Sequence, residues 1–230
     1  MLSHVFGPED SWPEQDLVAL SDDFDASLVV EAYRAGVFPM PLSESSFDAR
    51  TGWWSPVQRA YLPLDGLRVS KSLRQSVRRY TVTIDRDFAG VVAGCGEPSR
   101  DGGWIDEGIV AVYGELHEAG IVHSVETWDA EGRLVGGLYG VGLGGLFAGE
   151  SMFHHPELGR DASKVALVRL VDALATTPGS LLDVQWLTPH LATLGAVEVP
   201  RHAYLDLLDA ALELPGPDWE ALRGQEWPHA

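Results

Sequence analysis

The stretch Val135–Phe153, VGGLYGVGLGGLFAGESMF, decides how the rest of the chain is read. Glycines recur along it, and Leu138, Tyr139, Val141, Leu143, Leu146 and Phe147 fill the spaces between them. Glycine weakens a strand unless another backbone or a ligand must come close. Apolar residues on both sides of Gly144-Gly145 read as two strands of a hairpin that turns there. The second strand runs into Gly149-Glu150-Ser151-Met152-Phe153, which sets a carboxylate among bulky apolar neighbours. A buried carboxylate is costly unless it is paired or has a task. The competing reading of the pattern is a glycine-rich hairpin with an exposed Glu at its end.

Upstream of the hairpin, IVHSVETWDAEGR reads as a strand and a turn at Ala130 to Gly132. Before it, the spacing predicts a helix from about Asp106 to Ala119, one within DRDFAGVVAGC, and a strand over Tyr80 to Asp85. Ser70 is a cap for a helix over Lys71 to Arg79. The earliest helix runs from about Ala26 to Ala35, with a Gly36 stop and Pro39 beyond it. Downstream, Val165, Leu167, Val168, Val171 and Leu174 mark a helix. SLLDVQWLT is a short strand with Asp183 and Gln185 two residues apart, hence expected on one face. TPHLATLGA is a capped helical turn, VPRHAYLDLLDAAL a final amphipathic helix, and the tail after it is expected to be loosely held. This order suggests an α/β or α+β acyltransferase-like sheet.

At 230 residues the chain can bury a core as one large domain or two unequal ones. It has no run of about 18 or more apolar residues, so no membrane span is expected. The start, MLSHVFGPEDSWPEQD, lacks a basic end and an apolar centre, so no signal peptide is expected. The single cysteine, Cys95, excludes an internal disulfide and a cysteine metal cluster. It reads as a small buried residue at a helix end. A reducing cytoplasm is the expected location.

The net charge of -18 argues at first sight against a nucleic-acid partner. The charge is unevenly spread. Arg59, Arg68, Lys71, Arg74, Arg78, Arg79 and Arg86 face only Asp65 and Asp85 in the same segment. Lys71, Arg74 and Arg78 share one face of their helix at spacings of three and four, a candidate phosphate-binding row. Trp53 and Trp54 are adjacent, so in an extended chain one can pack while the other lines a surface; the competing reading is that both simply pack.

Several motifs fail. His154-His155 has no HExxH or cysteine set beside it, and adjacent histidines do not readily face one ion, so no metal is expected. GVGLGG from Gly140 opens no helix and is not a dinucleotide loop. Ser151 is not in a GxSxG elbow.

Taken together, the motifs resemble one family, the leucyl/phenylalanyl-tRNA-protein transferases of bacteria. The matching pieces are EAYRAGVFP, WWSP with the following RA, VSKSLR, the WI of GGWIDEG, LHEAGIVHSVE, VGGLYGV, GESMF, DASKVAL, LLDVQ with LTPHLATLGA, and VPR, collinear from Glu31 to Arg201. The resemblance implies an α+β fold: a small N-terminal domain, 1–67, before a GNAT-like acyltransferase domain, 68–230, with a mixed sheet and flanking helices. It implies transfer of Leu, Phe or Met from aminoacyl-tRNA to proteins with N-terminal Arg or Lys, marking them for N-end rule degradation. No cofactor is implied, because the donor is an activated ester. A monomer is expected.

The catalytic DxQ of the family carries over to Asp183 and Gln185, and Glu150 falls in its reaction centre. An α-amine must be neutral to attack, and a carboxylate or amide can orient it and pass on its proton. The family's apolar side-chain pocket maps to Leu138, Phe147, Met152, Leu170 and Leu182. Trp53, Trp54 and Trp104 are the candidates for stacking on the terminal adenosine of tRNA. Lys71, Arg74 and Arg78 would hold its phosphates. Two departures stand out: Ser21-Asp22-Asp23 where the family usually has Gly-Gly-Asp, and Met40 where it has an aromatic. The rival functions are an acyl-CoA-dependent N-acyltransferase, for which no pyrophosphate-binding turn is found, and a module that binds without chemistry.

Overall fold

The expected hairpin is the centre of a seven-stranded sheet. In the computed structural model, which describes residues 5–42, 51–97 and 105–227, Leu134–Leu143 and Leu146–His154 pair antiparallel around Gly144-Gly145. The glycines fit a two-faced burial. A Cβ on Gly136 would come within 2.5 Å of Ala162, while one on Gly137 would come within 2.9 Å of the Val91 side chain. The helices carrying those two residues, Ala162–Leu174 and Phe88–Cys95, therefore close on opposite faces of the same strand.

In chain order the strands are β1 (Leu17–Ser21), β2 (Phe38–Pro41), β3 (Thr51–Trp54), β4 (Gln58–Leu62), β5 (Thr81–Ile84), β6 (Val122–Trp128), β7 (Leu134–Leu143), β8 (Leu146–His154), β9 (Leu181–Gln185) and β10 (Val197–Pro200). The helices are α1 (Ala26–Arg34), α2 (Lys71–Val77), α3 (Phe88–Cys95), α4 (Glu107–Glu118), α5 (Ala162–Leu174), α6 (Pro189–Leu194), α7 (Arg201–Leu212) and α8 (Trp219–Leu222). A three-stranded sheet, β1-β3-β2, belongs to the N-terminal part. The large sheet has the order β10-β4-β9-β8-β7-β6-β5. Within it only β8 and β9 run parallel, so the sheet is mixed, as expected for an α+β chain. β4, which precedes residue 67, is hydrogen-bonded into the large sheet.

Local chemistry sets the helix starts. Asp25, Ser70, Asp87, Asp106 and Thr188 each accept a backbone N–H of the first turn that follows. In α1 the buried side chains are Val29, Ala32 and Tyr33, one stripe at helical spacing. Cys95 ends α3 and is buried.

The tail departs from its expected looseness. Trp227 and Val82 exchange backbone hydrogen bonds at 3.0 and 3.3 Å, and Gly224 N–H donates to the Ile84 carbonyl at 3.1 Å. Trp219 stacks on His123 at 4.3 Å. The chain thus covers the β5 edge that would otherwise be open. Among the described residues no helix is long and apolar enough to cross a membrane.

Candidate active site

Glu150 faces inward because β8 carries one residue too many. Tyr139 pairs with Ser151 and Gly140 with Gly149, which leaves Glu150 as the extra residue of a β-bulge. A bulge breaks the alternation of a strand and re-aims a side chain. A second irregularity lies across the gap. β8 and β9 pair only from Leu146–Ala148 to Leu181–Asp183, and beyond that the strands part. β9 also skips a residue against β4, with Tyr61 opposite Asp183 and Ala60 opposite Gln185. Gln185 then takes φ 58°, in the left-handed region that a residue with a long side chain avoids.

A cleft of about 390 Å³ opens where the strands part. One wall is apolar and comes from the large sheet, α5 and α6: Leu138, Met152, Leu167, Leu170, Leu182 and Leu191. The other carries Phe38, Pro39 and Met40 of β2 together with Trp186. Glu150 and Gln185 are polar groups in the lining.

Glu150 Oε1 accepts from the Tyr33 hydroxyl at 2.6 Å, and Oε2 from the Tyr113 hydroxyl at 3.1 Å. Gln185 Nε2 donates to Oε1 at 3.4 Å. Burial raises Glu150 to about 7, and the hydrogen bonds from Tyr33 and Tyr113 oppose that rise. A carboxylate of that pKa exchanges protons near neutrality. The two tyrosines, on α1 and α4, are 3.0 Å apart between hydroxyls.

Asp183 is fully buried and does not line the cleft. Its Oδ1 and Oδ2 accept Arg59 Nε and Nη2 at 2.9 and 2.5 Å. Asp183 and Gln185 therefore do not share a face: alternation holds only while a strand stays extended, and the turn at Gln185 ends it.

Of the five expected pocket residues, Leu138, Met152, Leu170 and Leu182 line the cleft. Phe147 is fully buried and lies against Trp219 at 5.6 Å. Trp53 is 1% exposed, donates to the Ser21 hydroxyl at 2.8 Å and sits in the core beside Phe6, so it presents no free face. Trp54 is half-buried and meets the Trp186 ring edge-on at 5.9 Å, outside the cleft lining. Trp104 lies outside the described residues. Lys71 and Arg74 on α2, and Arg78 just past its end, are exposed and form no ion pair with a described residue.

Sequence reasoning missed Tyr33, Tyr113, Arg59 and Trp186. Tyr33 and Tyr113 lie on helix faces that read as packing surface. Arg59 reads as one of the cations of its segment, from which nothing local distinguishes it. Trp186 did carry a signal, since it directly follows the DxQ.

A family model described as leucyl/phenylalanyl-tRNA protein transferase matches residues 61–209. The model of that family's N-terminal domain matches residues 22–57. Relatives named leucyl/phenylalanyl-tRNA–protein transferase include one from Ruegeria sp. (strain TM1040), 49% identical over 193 residues, 83% of this chain and 88% of the relative. One from Afipia carboxidovorans is 46% identical over 85% of this chain and 86% of its own. One from Salinibacter ruber is 46% identical over 90% and 88%. A solved structure, that of L-PGS from Bacillus licheniformis, overlays with a TM-score of 0.38 at 13% identity, covering 57% of this chain and 46% of that one, too loosely to carry an argument.

Proposed function

The chain belongs to the leucyl/phenylalanyl-tRNA-protein transferase family, and from that premise we propose its reaction. It moves Leu, Phe or Met from aminoacyl-tRNA to the α-amine of a protein that begins with Arg or Lys. The modified protein enters N-end rule degradation. The observation that carries this reading is the apolar cleft with Glu150 and Gln185 in its lining.

The donor side chain occupies the wall of Leu138, Met152, Leu170 and Leu182, and Met152 adapts to several side-chain shapes. The acceptor nitrogen attacks the ester carbonyl carbon. A C–N bond forms, the C–O bond to the ribose breaks, and the nitrogen proton ends on the ribose oxygen. Glu150 is the group suited to take that proton and return it, because its pKa of about 7 lies near the working pH. The Gln185 amide orients the reacting groups beside it. Asp183 acts from behind, through its hydrogen bond to the Gln185 backbone N–H at 3.0 Å.

Trp186 offers the cleft an aromatic surface for the donor's terminal adenine, and such stacking contributes about 1–3 kcal/mol per base. Lys71, Arg74 and Arg78 hold phosphates of the acceptor stem. The mixed sheet with its one parallel pair supports a GNAT-like acyltransferase domain over 68–230. The N-terminal unit, 1–67, lends it β4. A cytoplasmic monomer fits the same reading: Cys95 is buried, and the exposed large apolar residues are scattered along the chain.

The test offers labelled Leu-tRNA, or acetyl-CoA, to a peptide beginning with Arg. Transfer from the tRNA alone supports the proposal. Transfer from acetyl-CoA, or binding without transfer, overturns it.

A further inference from the structure

Arg59 is 1% exposed, yet it is a cation, and each of its three nitrogens donates a hydrogen bond to the site's supports. Its Nε and Nη2 hold both oxygens of Asp183, and its Nη1 donates to the Gly36 carbonyl at 3.3 Å. The guanidinium lies 4.6 Å from the ring of Phe38 and 4.6 Å from that of Tyr204. Phe38 is part of the cleft wall. Asp183 Oδ1 in turn accepts the Gln185 backbone N–H. One buried side chain thus ties the turn after α1, a cleft-wall aromatic and the strand that carries Gln185.

Two considerations argue that this arrangement serves more than packing. Removing two charges from water is expensive, and such a pair is weak evidence for stability alone. The left-handed Gln185 is a conformation that persists only where the surroundings over-determine it. The fork of Arg59 supplies the constraint: two parallel donors fix the carboxylate plane as well as its position.

We propose that Arg59 is a positioning residue for acyl transfer: through Asp183 it locks Gln185 in its turned conformation beside Glu150, while through Gly36 and Phe38 it sets the opposite wall of the cleft. The proposal rests on the transfer reading above. It makes Asp183 a holder of the site, buried behind the cleft and out of reach of substrate.

Two variants test it. Arg59→Lys keeps the charge and loses the fork. Arg59→Met with Asp183→Asn buries a neutral pair that keeps an oxygen for the Gln185 N–H. With Leu-tRNA and an Arg-peptide, each is expected to lose kcat about 100-fold, the cost of misplacing a reacting group by about 1 Å. The loss should fall on kcat more than on KM for Leu-tRNA, which shifts only as far as the Phe38 wall moves. The limb of the pH–rate profile near 7, assigned to Glu150, should persist in the double variant. Wild-type kcat in Arg59→Lys, or a loss carried by KM alone, would overturn the proposal. So would disappearance of that limb in the double variant, since Asp183 would then be the titrating group. Failure of the wild-type protein to transfer at all would instead overturn the transfer reading. In that event the crystal structure of Arg59→Lys decides the clamp by itself: Gln185 moved out of the left-handed region supports it, and Gln185 unmoved refutes it.

Discussion

Glu150 accepts hydrogen bonds from two tyrosines, and burial still outweighs them, lifting its pKa from the ordinary 4.5 to about 7. In the proposed reaction its ionised form is the base, so kcat/KM should fall as pH drops below about 7. A second limb belongs to the acceptor amine, whose own pKa is about 7.7–8.0. Glu150→Gln should lower kcat by about 100- to 10,000-fold and remove the lower limb only, as read from pH–rate profiles. A stability effect of opposite sense accompanies this. The folded-state pKa lies above the unfolded one, so between about 4.5 and 7 the folded protein binds more protons. Wild-type stability from this group is therefore lost as pH rises through that window. Urea midpoints should show Glu150→Gln gaining on wild type from pH 5 to pH 8; a gain in the other direction would contradict the burial argument.

The elements explain why that carboxylate faces the cleft at all. The bulge that turns Glu150 inward lies beside Gly140, where a Cβ would come within 2.3 Å of the Ala148 carbonyl and 2.5 Å of the Phe147 ring. Gly140→Ala should destabilise the protein by about 1–3 kcal/mol in urea titrations. Transfer should fall with it, because Glu150 is re-aimed. The helix α2 and its end have a separate, proposed role in holding tRNA. Changing Lys71, Arg74 and Arg78 together to Ala should reduce the slope of log affinity for tRNA against log salt by about 2–3. An unchanged slope would remove this row from the interface. At this scale much was legible in advance. The hairpin around Gly144-Gly145 and the caps at Ser70 and Thr188 are local chemistry, and local chemistry is written in neighbouring residues. The bulge at Glu150, the turn at Gln185 and the Arg59–Asp183 pair depend on partners far along the chain. Strand alternation alone therefore put Asp183 and Gln185 on one face. Two tryptophans in the tail were a readable sign of docking, since large apolar rings are seldom left in water.

The whole molecule brings its two parts together at the cleft. Tyr33 of α1 and Phe38 of β2 reach across to Glu150 and Trp186, so the N-terminal unit supplies one wall of the site and part of its hydrogen bonding. The net charge of -18 makes most of the surface repel a nucleic-acid backbone. The proposed reaction therefore expects affinity for tRNA at the basic α2 region and in the cleft. The account comes down to an apolar hollow that holds an aminoacyl ester while Glu150 manages the proton of an attacking amine. The most direct measurement is single-turnover transfer of labelled leucine from Leu-tRNA to a peptide with N-terminal Arg, followed from pH 6 to pH 9. The account predicts that the log rate of the wild-type protein climbs with a slope of about two below pH 7 and about one from there to pH 8, and that Glu150→Gln loses the steeper part while keeping the amine's own rise. Absence of transfer at every pH, or an unaltered profile in the variant, would contradict it.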